Sequence, residues 1–214
     1  MRVDLAGPAG VLEGLLDAPR TNGDEAGALP RAAVVFAHPH PLQGGTMHTK
    51  AVFQGTKGLG RIGCAVLRFN FRGVGASAGT FDEGRGERED FRIALDFLAE
   101  RYPGVPLWAA GFSFGSWIAL EAGALDPRVS VLIGVAPPIC RPTYSFDDVL
   151  ASTKPKFLVH GGLDEVCSLK DLWAFYAKLK EPKELVVIDG ANHLFDGQTG
   201  EVGEALEDLL GDFD

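Results

Sequence analysis

The chain has 214 residues, 46% hydrophobic and 23% charged, with 28 glycines and 13 prolines; this excludes disorder and collagen-like repeats and suits a folded globular protein rich in tight turns. The length fits one domain with an ample core, so residues 1–214 are read as a single domain. Twenty basic against 29 acidic residues leave a formal charge of −9, which repels a phosphate backbone and excludes nucleic acid as an expected partner.

In chain order, residues 1–14 carry one arginine and no apolar run of signal-peptide length. No later stretch approaches a membrane span, so a cytoplasmic protein without a membrane partner is expected. Val11 to Asp17 reads as a strand, and a polar loop holding Asn22-Gly23 follows from Pro19 to Pro30. Ala32–Ala37 and Cys64–Phe69 are short continuous apolar runs, the form taken by strands buried on both faces of a parallel sheet. A crossover helix over Met47–Leu59 joins them. The pattern then repeats: helix Glu87–Arg101, strand Val105–Ala110, helix Phe114–Ala124, strand Val129–Val135. After a loop come strand Phe157–His160, helix Leu169–Lys180, strand Glu184–Ile188 and a last helix from about Gly200. Such alternation predicts an α/β fold with a mostly parallel central sheet flanked by helices, its ligands at the carboxyl ends of the strands. Cys64, Cys140 and Cys167 are odd in number and widely spaced, so free thiols are expected rather than a disulfide framework or a zinc knuckle.

Gly111-Phe112-Ser113-Phe114-Gly115 lies between an apolar strand and an apolar helical run, the setting of a Gly-x-Ser-x-Gly nucleophile elbow. The turn from strand to helix is sharp enough that a side chain at either glycine would meet neighbouring backbone. It lifts the serine hydroxyl above the sheet and aims a helix N-terminus at any developing oxyanion. A second match, Gly75-Ala76-Ser77-Ala78-Gly79, is followed by Thr80-Phe81-Asp82-Glu83-Gly84 and no apolar helical period, so Ser77 reads as a loop hydroxyl satisfying a turn. A serine nucleophile needs a base and a carboxylate to orient that base. Asp164 follows the strand KFLVH and His193 follows the strand ELVVID, both on the rim that carries Ser113. Glu165 and Asp196 are rival carboxylates, each displaced from its strand end.

Together with this chain order, His38-Pro39-His40-Pro41, the segment Asn70–Ser77 and Gly111–Gly115 make the sequence resemble the α/β-hydrolase superfamily, and within it the small bacterial hydrolases related to dienelactone hydrolase. The resemblance runs from about Val34 to Phe195. That family's pattern has Val-Pro where this chain has Cys167-Ser168, and Asn where it has Thr49. The resemblance implies a serine carboxylic-ester hydrolase, carboxylesterase-like, with Ser113, Asp164 and His193 as catalytic triad and an acyl-enzyme intermediate. It also implies that the loop after the strand VVFA supplies an oxyanion donor beside Phe114. Pro39 and Pro41 have no amide hydrogen, so His40 is the nearest donor and Leu42 the next. No metal or organic cofactor is required, and the partner is a small-molecule ester. The same triad serves thioesterases, lactonases and peptidases, and the fold does not separate them or exclude a silent binding protein.

Three other features carry less. His38 and His40, with His48, form a possible metal-binding set that no further spaced ligands complete. Gly58-Leu59-Gly60-Arg61-Ile62-Gly63 spells Gly-x-Gly-x-x-Gly, but it follows a helical pattern and precedes a strand, the reverse of a dinucleotide fingerprint. It reads as a helix end and turn. Phe53, Phe112, Phe114 and Trp117 read as core before they read as an acyl pocket. Only Pro137–Lys154 occupies the place where larger hydrolases insert a cap, so an open site taking small soluble short-chain esters is expected.

Overall fold

The computed structural model describes residues 1–19 and 29–213, so most of the predicted polar loop, Asn22-Gly23 included, lies outside the described residues. Eight strands form one sheet in the order β1-β2-β4-β3-β5-β6-β7-β8. They are β1 (Arg2–Gly7), β2 (Gly10–Asp17), β3 (Ala33–Ala37), β4 (Ala65–Phe69), β5 (Leu107–Phe112), β6 (Val129–Val135), β7 (Lys156–Gly161) and β8 (Lys183–Ile188). β2 runs antiparallel to both neighbours, and every pairing from β4 to β8 is parallel. The helices are α1 (Lys50–Arg61), α2 (Arg85–Arg101), α3 (Phe114–Leu125), α4 (Asp147–Ala151), α5 (Leu169–Tyr176) and α6 (Thr199–Gly211), with a 3₁₀ turn at Pro41–Gln43.

The apolar runs form strands because both of their faces are covered. Ala33, Val35 and Ala37 of β3, with Leu107 and Ala109 of β5, meet Phe91, Leu95 and Leu98 of α2 and Ile118 and Leu120 of α3 in one core layer. The alternate residues Val34, Phe36, Trp108, Ala110 and Phe112 meet Val52 and Leu59 of α1 and Val202, Leu206 and Leu210 of α6 in the other. A strand's two-residue period divides one apolar run between two layers. α1 and α6 approach so closely that a Cβ on Gly58 would lie 2.1 Å from the Gly203 carbonyl oxygen. The first glycine of the dinucleotide-like sextet is therefore a helix-packing glycine, and α1 runs past it to Arg61 before the chain turns into β4.

Two elements escaped the sequence reading. β1 is an edge strand whose only fully buried residue is Leu5, so its apolar period is faint. α4 has five residues, too few to show a helical repeat. No helix among the described residues is long and apolar enough to cross a membrane.

Candidate active site

Ser113 follows β5 directly and caps α3, with φ 52° and ψ −121°, a conformation that an L-residue holds only when its surroundings enforce it. Its amide donates to the Val135 carbonyl at 2.9 Å, and its own carbonyl accepts from the Ser116 amide and hydroxyl at 2.8 and 2.7 Å. The flanking glycines let the turn close. A Cβ on Gly111 would sit 2.1 Å from the Gly115 carbonyl oxygen, and one on Gly115 would sit 2.4 Å from that of His38.

The ends of β7 and β8 bring two further side chains to the same rim. Ser113 Oγ lies 2.8 Å from His193 Nε2, and His193 Nδ1 lies 2.8 Å from Asp164 Oδ2. The other Asp164 oxygen accepts the amides of Val166 and Cys167, each at 2.8 Å. Burial alone would raise the Asp164 pKa, but the hydrogen bonds from His193 and the Cys167 amide outweigh it and hold the carboxyl below its ordinary value. Phe112 packs beneath the His193 ring at 5.7 Å between centroids. The rival carboxylates have other partners: Glu165 accepts the His193 backbone amide at 3.1 Å, and Asp196 accepts the Asn192 side-chain amide at 3.0 Å. In this arrangement a hydroxyl can pass its proton to an imidazole whose orientation a buried carboxylate sets.

His160 also belongs to this cluster, and sequence reasoning assigned it no part. It is fully buried, its Nε2–H donates to the Cys167 carbonyl at 2.9 Å, and Nε2 stands 3.5 Å from Asp164 Oδ2. Burial pushes its pKa down, so the ring supports the turn that carries Asp164 as a neutral donor. Its place at the end of β7 was the one signal the sequence offered.

A cleft of about 160 Å³ opens over Ser113 and His193, lined also by His40, Gln43, Phe114, Pro138, Arg141, Thr143, Tyr144 and Val166. Among the described residues the backbone amides of His40 and Phe114 donate no hydrogen bond, whereas the Leu42 amide is taken by His40 Nδ1 at 3.2 Å. Of the two donors weighed for the loop after β3, the free one is therefore that of His40. The His40 ring lies between Phe81 and Phe114, at 5.0 and 5.1 Å. Residues 137–154 form a side wall of the cleft, held by Tyr144 stacked on Trp117 at 4.1 Å and by the Trp117 indole donating to the Ser145 carbonyl at 2.8 Å.

The remaining sequence features resolve into structure. Ser77 is buried in a turn, donating to the Asn70 carbonyl at 2.7 Å and accepting the Glu13 amide at 3.1 Å. His38 uses both ring nitrogens: Nδ1–H donates to the Pro39 carbonyl at 2.6 Å, and Nε2 accepts the Phe71 amide at 3.1 Å. Burial lowers its pKa to about 4, His48 is exposed, and among the described residues the three histidines form no group that could hold a metal ion. Of the four aromatics, Phe114 alone lines the cleft; Phe112 and Trp117 are core, and Phe53 is an exposed ring under Arg68.

The family model described as serine aminopeptidase S33 matches residues 28–152. An α/β serine hydrolase homologue from Coxiella burnetii is 36% identical with a TM-score of 0.88, covering 98% of this chain and 97% of that one. A Xanthomonas campestris protein described as an α/β serine hydrolase without lid is 32% identical with a TM-score of 0.85, covering 97% of this chain and 92% of that one. An uncharacterised protein of Rickettsia prowazekii is 35% identical over 189 residues, 85% of this chain and 79% of that one.

Proposed function

The chain belongs to the serine aminopeptidase S33 family of the α/β-hydrolase superfamily, and from that premise we propose that it hydrolyses carboxylic esters through an acyl-enzyme. The observation that carries this reading is the unbroken relay from Ser113 Oγ through His193 to Asp164, with both links at 2.8 Å, at the floor of an open cleft. Ser113 attacks the ester carbonyl while His193 Nε2 takes its proton, and the oxygen that gains charge is held by the amides of Phe114 and His40 at the positive end of α3. His193 then returns the proton to the leaving alkoxide. Water, deprotonated by the same imidazole, releases the acid. Asp164 keeps the His193 tautomer correct throughout. The narrower likeness to dienelactone hydrolase rests on the three sequence motifs alone.

Esters are favoured over peptides with a free N-terminus because among the described residues no aspartate or glutamate lines the cleft to bind an α-ammonium group. Short acyl chains are favoured because a lidless cleft of about 160 Å³ buries few methylenes, each worth about 0.8 kcal/mol. The test is a chain-length series of p-nitrophenyl esters with wild type and Ser113→Ala. Activity should peak at short chains and vanish in the variant. Rates that climb to long-chain triglycerides with a jump above their solubility limit would refute the substrate reading, and an active Ser113→Ala would refute the mechanism.

A further inference from the structure

We propose that Cys140 and Cys167 are a redox modification site: a peroxide joins them as a disulfide, which draws the cleft wall inward and weakens substrate binding. The effect on catalysis rests on the reading of Ser113 as nucleophile; the pairing of the two thiols does not.

The two cysteines are far apart in sequence and together in the fold. Cys140 is exposed on the segment after β6, and its thiol donates to the carbonyl of Val166, the residue before Cys167, at 2.9 Å. Cys167 is buried in the turn after β7, and its thiol meets both the thiol and the backbone amide of Cys140. Cys64 stands at the start of β4, on the opposite rim of the sheet. An exposed thiol resting on a buried one is an arrangement in which the first is oxidised and the second resolves it. The peroxide passes an oxygen to the Cys140 sulfur, its O–O bond breaks, and a sulfenic acid and an alcohol result. The Cys167 sulfur then attacks that of Cys140. The S–S bond forms, the S–O bond breaks, and hydroxide leaves with the Cys167 proton as water. Two thiols and one peroxide thus yield a disulfide, water and an alcohol, the alcohol being a second water when the oxidant is hydrogen peroxide. Burial and the neighbouring thiol push the Cys167 pKa up to about 12, so this thiol is inert towards outside reagents and reacts only with a sulfur held against it.

Position gives the bond its consequence. Cys167 is pinned on both sides, its amide donating to Asp164 Oδ1 at 2.8 Å and its carbonyl accepting from His160 Nε2 at 2.9 Å. Among the described residues the Cys140 backbone neither donates to nor accepts from another backbone group. A disulfide holds its sulfurs at about 2 Å, well inside contact distance, so the segment carrying Cys140 is the one that gives way. Pro138 and Arg141 on that segment line the cleft over Ser113, as does Val166 beside Cys167. Drawing the first two towards the third narrows the cleft, while Asp164 keeps its bond to His193.

The pair is tested by treating reduced wild type, Cys140→Ser and Cys167→Ala with hydrogen peroxide in the presence of dimedone, followed by peptide mapping. Wild type should give a linked Cys140–Cys167 peptide that a thiol reductant separates, with little dimedone adduct. Cys167→Ala, which lacks the resolving thiol, should carry the adduct on Cys140. In wild type, a pair left as thiols, a persistent Cys140 sulfenic acid, or Cys140 joined only to another chain overturns the site. Steady-state kinetics on a p-nitrophenyl ester reads the consequence. Oxidised wild type should lose about ten- to a hundred-fold in kcat/KM, chiefly through KM, and regain it with reductant, while peroxide should leave Cys140→Ser unchanged. A linked peptide with unaltered kinetics, or a loss shared by Cys140→Ser, overturns the narrowing and leaves the esterase reading standing. If the reduced protein hydrolyses no ester, the esterase reading fails instead, and acylation by diethylpyrocarbonate then reads the narrowing. His40 in the cleft should react more slowly after oxidation, relative to the exposed His48; an unchanged ratio overturns it.

Discussion

Replacing Glu121 with glutamine should stabilise the protein at alkaline pH and change little in acid. Glu121 lies on α3 at 3% exposure, and among the described residues its carboxylate has one hydrogen-bond partner, the Val149 amide of α4 at 3.3 Å. Burial raises its pKa from 4.5 to about 7; Asp147 and Asp148 push the same way, against the Val149 amide and Arg88. A group whose folded pKa is raised binds its proton more tightly in the native state. Its contribution is complete below pH 4.5 and is lost as pH rises through about 7. At about 1.4 kcal/mol per pH unit, that interval amounts to a ceiling of about 3 kcal/mol. Glutamine keeps the shape and an acceptor for Val149 without the charge. The stability gap between Glu121→Gln and wild type should therefore be near zero at pH 4 and approach about 3 kcal/mol at pH 8.5, or about 6–12 °C in Tm for a chain of this size. Urea unfolding of both proteins at intervals between those values measures it. Parallel stability curves, or a variant less stable than wild type at pH 8.5, would show that Glu121 does not carry the buried proton.

Asp164→Asn should leave the fold intact and lower kcat by roughly 10⁴-fold, because the amide oxygen stays with the Val166 and Cys167 amides and the NH2 group then faces His193 Nδ1, which imposes the wrong tautomer and stabilises no imidazolium; steady-state kinetics with circular dichroism as fold control checks this. His40→Pro removes a backbone donor that His40→Ala keeps, so on one activated ester the proline variant should be slower by about 10²–10³-fold. Equal and severe losses would point to the imidazole instead. Under native conditions a maleimide should modify Cys140, which is exposed, and spare Cys64 and Cys167, which are buried with thiol pKa values pushed up to about 12. Intact mass before and after denaturation counts the adducts.

Most of the sheet was legible because β3 to β7 are buried on both faces and show as unbroken apolar runs. The strand at Val129–Val135 and the start of the helix at Phe114 fall where the sequence places them. The elbow's strand extends two residues further than the apolar run suggested, to Phe112, because pairing with β6 continues past the last aliphatic residue. β1 was not legible: it is an edge strand with one buried side chain, held by its ladder with β2. Within the site, strand ends brought Ser113, Asp164 and His193 into consideration, since in a parallel sheet those ends share one rim. The parts that depend on loops folding back left no trace in sequence. Arg141 reaches the cleft because the Tyr144–Trp117 stack ties its loop to α3, and His160 meets Asp164 because a tight turn brings Cys167 back over β7. Neither contact has a period or a motif.

The central claim, that Ser113 is a nucleophile activated by His193, is tested most directly by covalent titration with a fluorophosphonate followed by peptide mapping. One probe per chain should attach to Ser113, none should attach in Ser113→Ala, the rate should collapse in His193→Ala, and Ser77→Ala should label like wild type. A folded wild-type protein that takes up no probe, or that carries it on Ser77, would contradict the account.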